Sequence, residues 1–328
     1  MVKSTTIEEP FIDVKNILAE AVTYDYRNHS LIWVDILKGL VLRTFLDEND
    51  NHGEVHTYEV DKYVGLVGLT EDMNKVVTGT SKSIKVLDFN TGKIVTLADY
   101  PNGNVAENGW QLRTNDGSVD VDGNFWVGTI CDPSCPEILD LGALYRLNKK
   151  DLKLEVAIDH VGIPNGINWR GGKMYWASSK EQIIYKTQLD EKTGLPIMSS
   201  QIPFVEVSNI FRDYSDKRCL KGEPDGSSFD EQGYLYSAVW GTNRVIKISP
   251  EGKLVEEFIF PDKGISCTTI GGRNMNQLFV TSGSNGGKPK GPDELTSGRI
   301  FKVDLGTAIK GMKKNLWKGP LSSELEED

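Results

Sequence analysis

At 328 residues, with a formal net charge of −10 and a pI near 5.1, the chain is long enough for a large core and too acidic to track a phosphate backbone. Its 38% hydrophobic and 26% charged residues are ordinary for a globular protein, and the acidic surface identifies no partner by itself. No apolar run of about 18 residues exists to span a membrane.

The first residues, "MVKSTTIEEPFIDV", hold no apolar segment of a secretion signal. A cytoplasmic protein with reduced thiols is therefore expected, with the Asn28-His29-Ser30 sequon unmodified. Within this start, "PFIDVKN" is expected to be a strand that completes a blade assembled from both termini. From there on helical periodicity is almost absent, and short strand-like runs alternate with Gly, Asn and Asp turns. Six segments share one grammar: a strand, a turn, a second strand ending in small residues, a gap, then a third strand. They begin at "AVTYDYRNHSLIWVDI", "LVGLTEDMNKVVTGT", "GSVDVDGNFWVGTI", "GINWRGGKMYWASS", "GSSFDEQGYLYSAVW" and "CTTIGGRNMNQLFVTSG". The period of about 40 to 60 residues is that of one four-stranded propeller blade. The expected fold is all-β: one six-bladed β-propeller domain over residues 1–328, ending in an acidic tail at about 320–328.

In a propeller the innermost strand of each blade lines the central channel. The residues that precede these strands are expected at one mouth: Glu20, Asn115 with Asp116, Asn165 and Asp225. Taken singly, "NDG", "PNG" and "PDG" read as tight turns. Taken together, at equivalent positions of separate repeats, they read as a convergent polar site. Carboxylates and amide oxygens at one point suit a hard divalent cation such as calcium, magnesium or manganese, with zinc also open. Asp122-Gly123 reads as a hairpin turn; its Asp-x-Asp-Gly context lacks the terminal Glu and the helices of an EF-hand. The strand tryptophans Trp33, Trp126, Trp169, Trp176 and Trp240 read as packing between blades, one of them a candidate for the mouth. Histidines 29, 52, 56 and 160 read as turn or surface residues. Cys131, Cys135, Cys219 and Cys267 form no C-x-x-C pair, so a cysteine zinc site is not expected. No G-x-S-x-G elbow marks a serine hydrolase, and no glycine motif cradles a phosphate.

"LAEAVTYDYRNHSLIWVDI", "RTNDGSVDVDGNFWVGT", "PNGINW", "EPDGSSFDEQGYLYSAVWGTNRVIKISPEG" and "ISCTTIGGRNMNQLFVTS" resemble, in order, motifs of the SMP-30/gluconolactonase/luciferin-regenerating-enzyme family of regucalcin-like sugar lactonases. The resemblance runs from about Glu20 to Lys310. It implies a six-bladed propeller with one divalent metal in its channel, held by Glu20, Asn165 and Asp225. It implies that Arg113 and Asn115 bind substrate, and that Asp225 is also the general base on the attacking water. The implied reaction opens a sugar-acid lactone, such as a glucono-, xylono- or rhamnonolactone, to the free acid. The partner is then a small molecule, with neither nucleic acid nor membrane. Three departures stand out. "YWASS" puts Ser178 and Ser179 where many members carry an Asp. The loop "ICDPSCPEILDLG" offers Asp132, and beside it Glu137, for the acidic residue over the substrate. The insertion at 209–223, before Asp225, is longer than expected and is a candidate for the channel rim. Two other readings stay open: the same metal site acting on another cyclic ester, a luciferin-type compound or an organophosphate, and a non-catalytic propeller that binds calcium or a protein.

Overall fold

Runs rich in Val, Ile, Leu and aromatic residues, cut by left-handed turn residues such as Gly39, Gly123 and Gly233, form short strands joined by tight turns. The computed structural model describes residues 2–137, 139–284 and 297–322. Strand β1 (Lys3–Thr6) precedes six sheets. The first holds β2–β5 (Ala19–Asp25, Ser30–Asp35, Leu40–Leu46, His52–Glu59). The second holds β6–β9 (Leu66–Thr70, Lys75–Gly79, Ser83–Asp88, Ile94–Asp99). The third holds β10–β13 (Arg113–Val119, Phe125–Ile130, Gly142–Leu147, Leu154–Val161). The fourth holds β14–β17 (Pro164–Arg170, Lys173–Ser178, Ile183–Gln188, Ile202–Glu206). The fifth holds β18–β21 (Glu223–Phe229, Leu235–Trp240, Arg244–Ile248, Leu254–Ile259), and the sixth β22–β24 (Gly264–Gly271, Gln277–Gly283, Ile300–Asp304). A last strand, β25, is Leu316–Trp317. Among the described residues no helix is long and apolar enough to cross a membrane.

The strands within each blade are antiparallel, and the first strand of each blade packs against the first strand of the next. These contacts run from β2 through β6, β10, β14, β18 and β22 and back to β2, which closes the ring of a six-bladed β-propeller. Blade faces are buried against one another. Trp126 and Trp169 meet between the third and fourth blades with ring centroids 5.5 Å apart. Tyr24 stacks on Phe279 across the seam of the first and sixth at 6.3 Å. At "PFIDVKN", where a strand completing a blade was expected, the chain meets β24 of the sixth blade through an isolated antiparallel bridge, Ile12 to Ile300, and not as a regular strand. Lys3–Thr6 adds a parallel fifth strand to the fifth blade, with Lys3 opposite Glu256, an addition that the repeat grammar does not contain. The tail expected at about 320–328 lies mostly outside the described residues, which end at 322.

The Asp122-Gly123 turn forms as expected. Asp120 N donates to Asn124 O, and Gly123 has φ +95°. Beneath the turn, the buried Asp120 carboxylate accepts four hydrogen bonds, from Asp122 N, Asn124 N, Asn124 Nδ2 and Trp126 Nε1, at 2.8–3.0 Å. Asp120→Ala strands several of these donors. It is expected to cost about 2–4 kcal/mol, read as a lower urea midpoint.

The chain's last described stretch crosses the opposite end of the channel. Lys310 O accepts from Glu231 N, Met312 N donates to Phe229 O, and Gly311 N donates to Met275 O. Lys313 lies 4.4 Å from the Tyr26 ring centroid. Asn315 Nδ2 then donates to Val119 O at 2.9 Å, and β25 pairs with β6, Leu316 opposite Leu69. This strap touches five blades, and Lys314 and Asn315 line a small cavity of about 30 Å³ in the lower channel.

Candidate functional site

The mouth residues lie inside the inner strands and not before them. Glu20 is the second residue of β2, Asn115 and Asp116 sit in β10, Asn165 is the second residue of β14, and Asp225 is in β18. "NDG", "PNG" and "PDG" are therefore not hairpin turns. Each marks a slip in strand register, between Thr114 and Gly117, Asn165 and Asn168, and Pro224 and Ser227. The same slip follows Glu20 in β2 and Ile265 in β22. Such bulges re-aim a side chain out of the alternating pattern. In β6 the pairing from Leu66 to Leu69 is regular, and this strand sends no residue to the mouth cavity. Ala21 at φ +51° and Gly166 at φ +54° take the left-handed turn directly after Glu20 and Asn165. For Ala21 that conformation is strained, and it lets Ala21 N donate to Glu20 Oε2 at 2.9 Å.

All six expected site residues, Glu20, Arg113, Asn115, Asp132, Asn165 and Asp225, line one cavity of about 380 Å³. A belt of hydrogen bonds joins most of them across three blades. Arg113 Nη2 donates to Asp132 Oδ2 at 2.9 Å, and its Nη1 to Asn115 Oδ1 at 2.9 Å. Asn115 Nδ2 donates to Asn165 Oδ1 at 2.8 Å, Asn165 Nδ2 to Ser179 Oγ at 2.9 Å, and Ser179 Oγ to Pro224 O at 2.6 Å. Ser179 thus braces Asn165 from one of the two positions where an Asp was the family expectation. Arg113 Nε is buried without a partner among the described residues.

Beside the belt lie the carboxyls. Burial, then the charge of Asp116, pushes Glu20 up to about 8. Burial, then the charges of Glu20 and Asp116, raises Asp225 well above the usual carboxylate range. Asp225 lies within hydrogen-bonding reach of Glu20, and its Oδ1 accepts Gly226 N at 3.0 Å. Asp116 sits deeper, where its carboxylate accepts Gly117 N and Gly166 N, both at 2.7 Å, and so ties β10 to β14. It lines the lower cavity and not the mouth, in keeping with a part in presenting Asn115.

Burial and the charge of Asp116 raise both carboxyls; Glu20 raises Asp225 further, while the hydrogen bond with Asp225 lowers Glu20 in part, and among the described residues neither forms a salt bridge. Among the described residues no group of three or more His, Cys, Asp and Glu forms a ligand cluster either. The donor set is two carboxylates with an amide oxygen beside them. That all-oxygen chemistry fits a hard divalent cation, which would offset the crowded charge.

Trp240 is the strand tryptophan that reaches the cavity, Ser179 lines it from the position noted for its missing Asp, and Glu223 also lines it though it was not singled out from the sequence. For Glu223 a signal existed: it stands two residues before Asp225, on the same face of a strand. Of the 209–223 insertion only Glu223 reaches the mouth. Phe211 and Cys219 are buried against Ala177, Ile184 and Val239, between the fourth and fifth blades. Glu137 and the four histidines do not line the mouth cavity; His29 accepts or donates to the Tyr24 hydroxyl at 2.7 Å near the far end of β2.

Comparison with known proteins agrees with this architecture. Residues 18–284 match the family model described as the SMP-30/Gluconolactonase/LRE-like region. The chain is 30% identical to a cell growth-regulated gene 1 protein of Candida albicans, over 92% of this chain and 94% of the relative. It is 29% identical to a 6-deoxy-6-sulfogluconolactonase of Pseudomonas putida, over 93% and 96%. The crystal structure of a calcium-binding protein, regucalcin, from Agrobacterium tumefaciens superposes with a TM-score of 0.79 at 21% identity, covering 97% of this chain and 99% of that one, which supports the shared fold.

Proposed function

The chain belongs to the SMP-30/Gluconolactonase/LRE-like family, and from that membership we propose that it is a metal-dependent hydrolase of sugar-acid lactones. The observation that carries the reading is the buried Glu20–Asp225 pair beside the Arg113–Asn115–Asn165 belt, at the open end of the channel. A protein-binding scaffold has no need to bury two carboxyls that repel each other at its axis. The similarity to a sulfogluconolactonase supports a lactone as the substrate class.

Glu20, Asn165 and Asp225 would hold the divalent cation, whether calcium, zinc, magnesium or manganese. When bound it supplies a Lewis acid for the lactone carbonyl and the charge that keeps both carboxylates ionised. Asp225 takes the proton of the attacking water, and its backbone donor Gly226 N fixes one oxygen for that role. Arg113, held by Thr114 O, Asn115 and Asp132, keeps one Nη2 hydrogen to donate to the ring oxygen or a ring hydroxyl of the substrate. Asn115 sits between Arg113 and Asn165, so substrate and metal positions are set by one chain of hydrogen bonds. The reaction belongs in the cytoplasm, in one domain, on a small molecule.

Acid release from glucono-, xylono-, rhamnono- and galactonolactone, with each divalent cation in turn, tests the reading; no turnover with any pair would overturn it. On the best substrate, Arg113→Lys is expected to lower kcat/KM about ten- to hundredfold, chiefly through KM, because a point charge replaces an oriented planar fork.

A further inference from the structure

The cavity has two unlike parts. Its floor is the polar set already described. Its wall, rising toward solvent, is hydrocarbon: Leu18, Ile36, Leu37, Ile130, Ile163 and Trp240. These side chains come from the first, third, fourth and fifth blades, so the apolar surface surrounds the opening and is not one patch. It is also firm. Ile36 and Ile130 are buried, and the six-membered ring of Trp240 lies on the backbone of Gly264 and Gly283. A Cβ at either glycine would come within 2.9 Å or 2.7 Å of that ring, so the two glycines make the seat of the indole.

The polar groups near this wall are already engaged. Asp132 receives Arg113. The Ser179 hydroxyl donates to Pro224 O and accepts from Asn165. Asn115 gives its amide hydrogens to Pro164 O and Asn165 Oδ1. Glu223 is the polar exception on the wall. A substrate chain studded with hydroxyls would lose water here and find few partners among the described residues, whereas a hydrocarbon chain would lose nothing.

We propose that the enzyme selects lactones whose exocyclic chain is apolar: the ring and its hydroxyls face the floor, and a deoxygenated tail packs on Trp240, Leu37 and Ile163. The proposal rests on the lactonase reading and narrows it from sugar-acid lactones at large to deoxygenated ones. Apolar pockets separate substrates that differ by one small group about ten- to two-hundredfold.

The test uses the full chain with its activating cation and three lactones of one handedness: galactono-1,4-lactone, its 6-deoxy form and its 5,6-dideoxy form. The ring is constant and only the tail loses hydroxyls. Expected is a rise in kcat/KM of about tenfold or more from the parent to the dideoxy lactone. Leu37→Asn is expected to shrink that ratio at least about fivefold by offering the tail a polar partner. Equal or better hydrolysis of the parent would overturn the selectivity while leaving the lactonase reading in place. An unchanged ratio in Leu37→Asn would overturn the assignment of the wall. Failure to hydrolyse any of the three, or any hydroxylated lactone of the wider panel, would overturn both readings.

Discussion

Asp225→Asn is expected to lower kcat on the best lactone by about a thousandfold or more while leaving a folded protein that is at least as stable without metal. The two halves of this result share one cause. Asp225 is buried, and its charge repels Glu20, Asp116 and Glu223. An amide of the same shape removes that repulsion and keeps a carbonyl oxygen to accept Gly226 N. It cannot take a proton from water, and it binds a cation more weakly than a carboxylate does. Loss of a general base alone costs about 10²–10⁴-fold, and the weakened metal site adds to it. The measurements are steady-state turnover with saturating cation, and thermal unfolding in chelator. Full turnover in the variant would end the assignment of Asp225 as base. A markedly lower melting temperature in chelator would show that the carboxylate is a structural requirement, and would undo the electrostatic account.

The second large effect is metal removal. Chelation is expected to abolish hydrolysis, and a hundredfold excess of the right cation over its Kd should then raise the melting temperature by about 4 °C. The pH dependence of the stripped protein follows from Glu20, whose carboxyl in the fold titrates near 8 against an ordinary 4.5. Between those values the folded state holds a proton that the unfolded chain has lost. Stability from this group is therefore full below about 4.5 and declines as pH rises toward 8. A bound cation removes the need for that proton, so the loaded protein should show a flatter profile. Melting temperatures from pH 5 to 8, with and without cation, read this directly. Parallel profiles would mean that the cation does not bind at Glu20.

The repeat grammar made the propeller legible because each blade reuses the same strand and turn chemistry. The mouth residues were legible for the same reason: Glu20, Asn115, Asn165 and Asp225 stand at matching places in separate repeats. The device that aims them was not. A register slip leaves no mark in a period-two pattern, so Asn-Gly and Asp-Gly looked like strand entrances when they were bulges within strands. The apolar wall was hidden for another reason. Leu18 and Trp240 are 222 positions apart by their numbers, and each looks like ordinary packing until the ring brings them to one opening. Lys3–Thr6 is a short polar stretch whose pairing with β21 is decided by backbone hydrogen bonds at a sheet edge, which side-chain patterning does not encode.

The C-terminal strap has a consequence for molecular traffic. Lys314 and Asn315 line the small cavity of the lower channel, so among the described residues the strap stands across the axis at the end away from the mouth. If the floor opens a lactone as proposed, the product has the mouth past Trp240 and Leu37 as its way out. On that reading the product acid and the next lactone would share the mouth lined by Trp240 and Leu37.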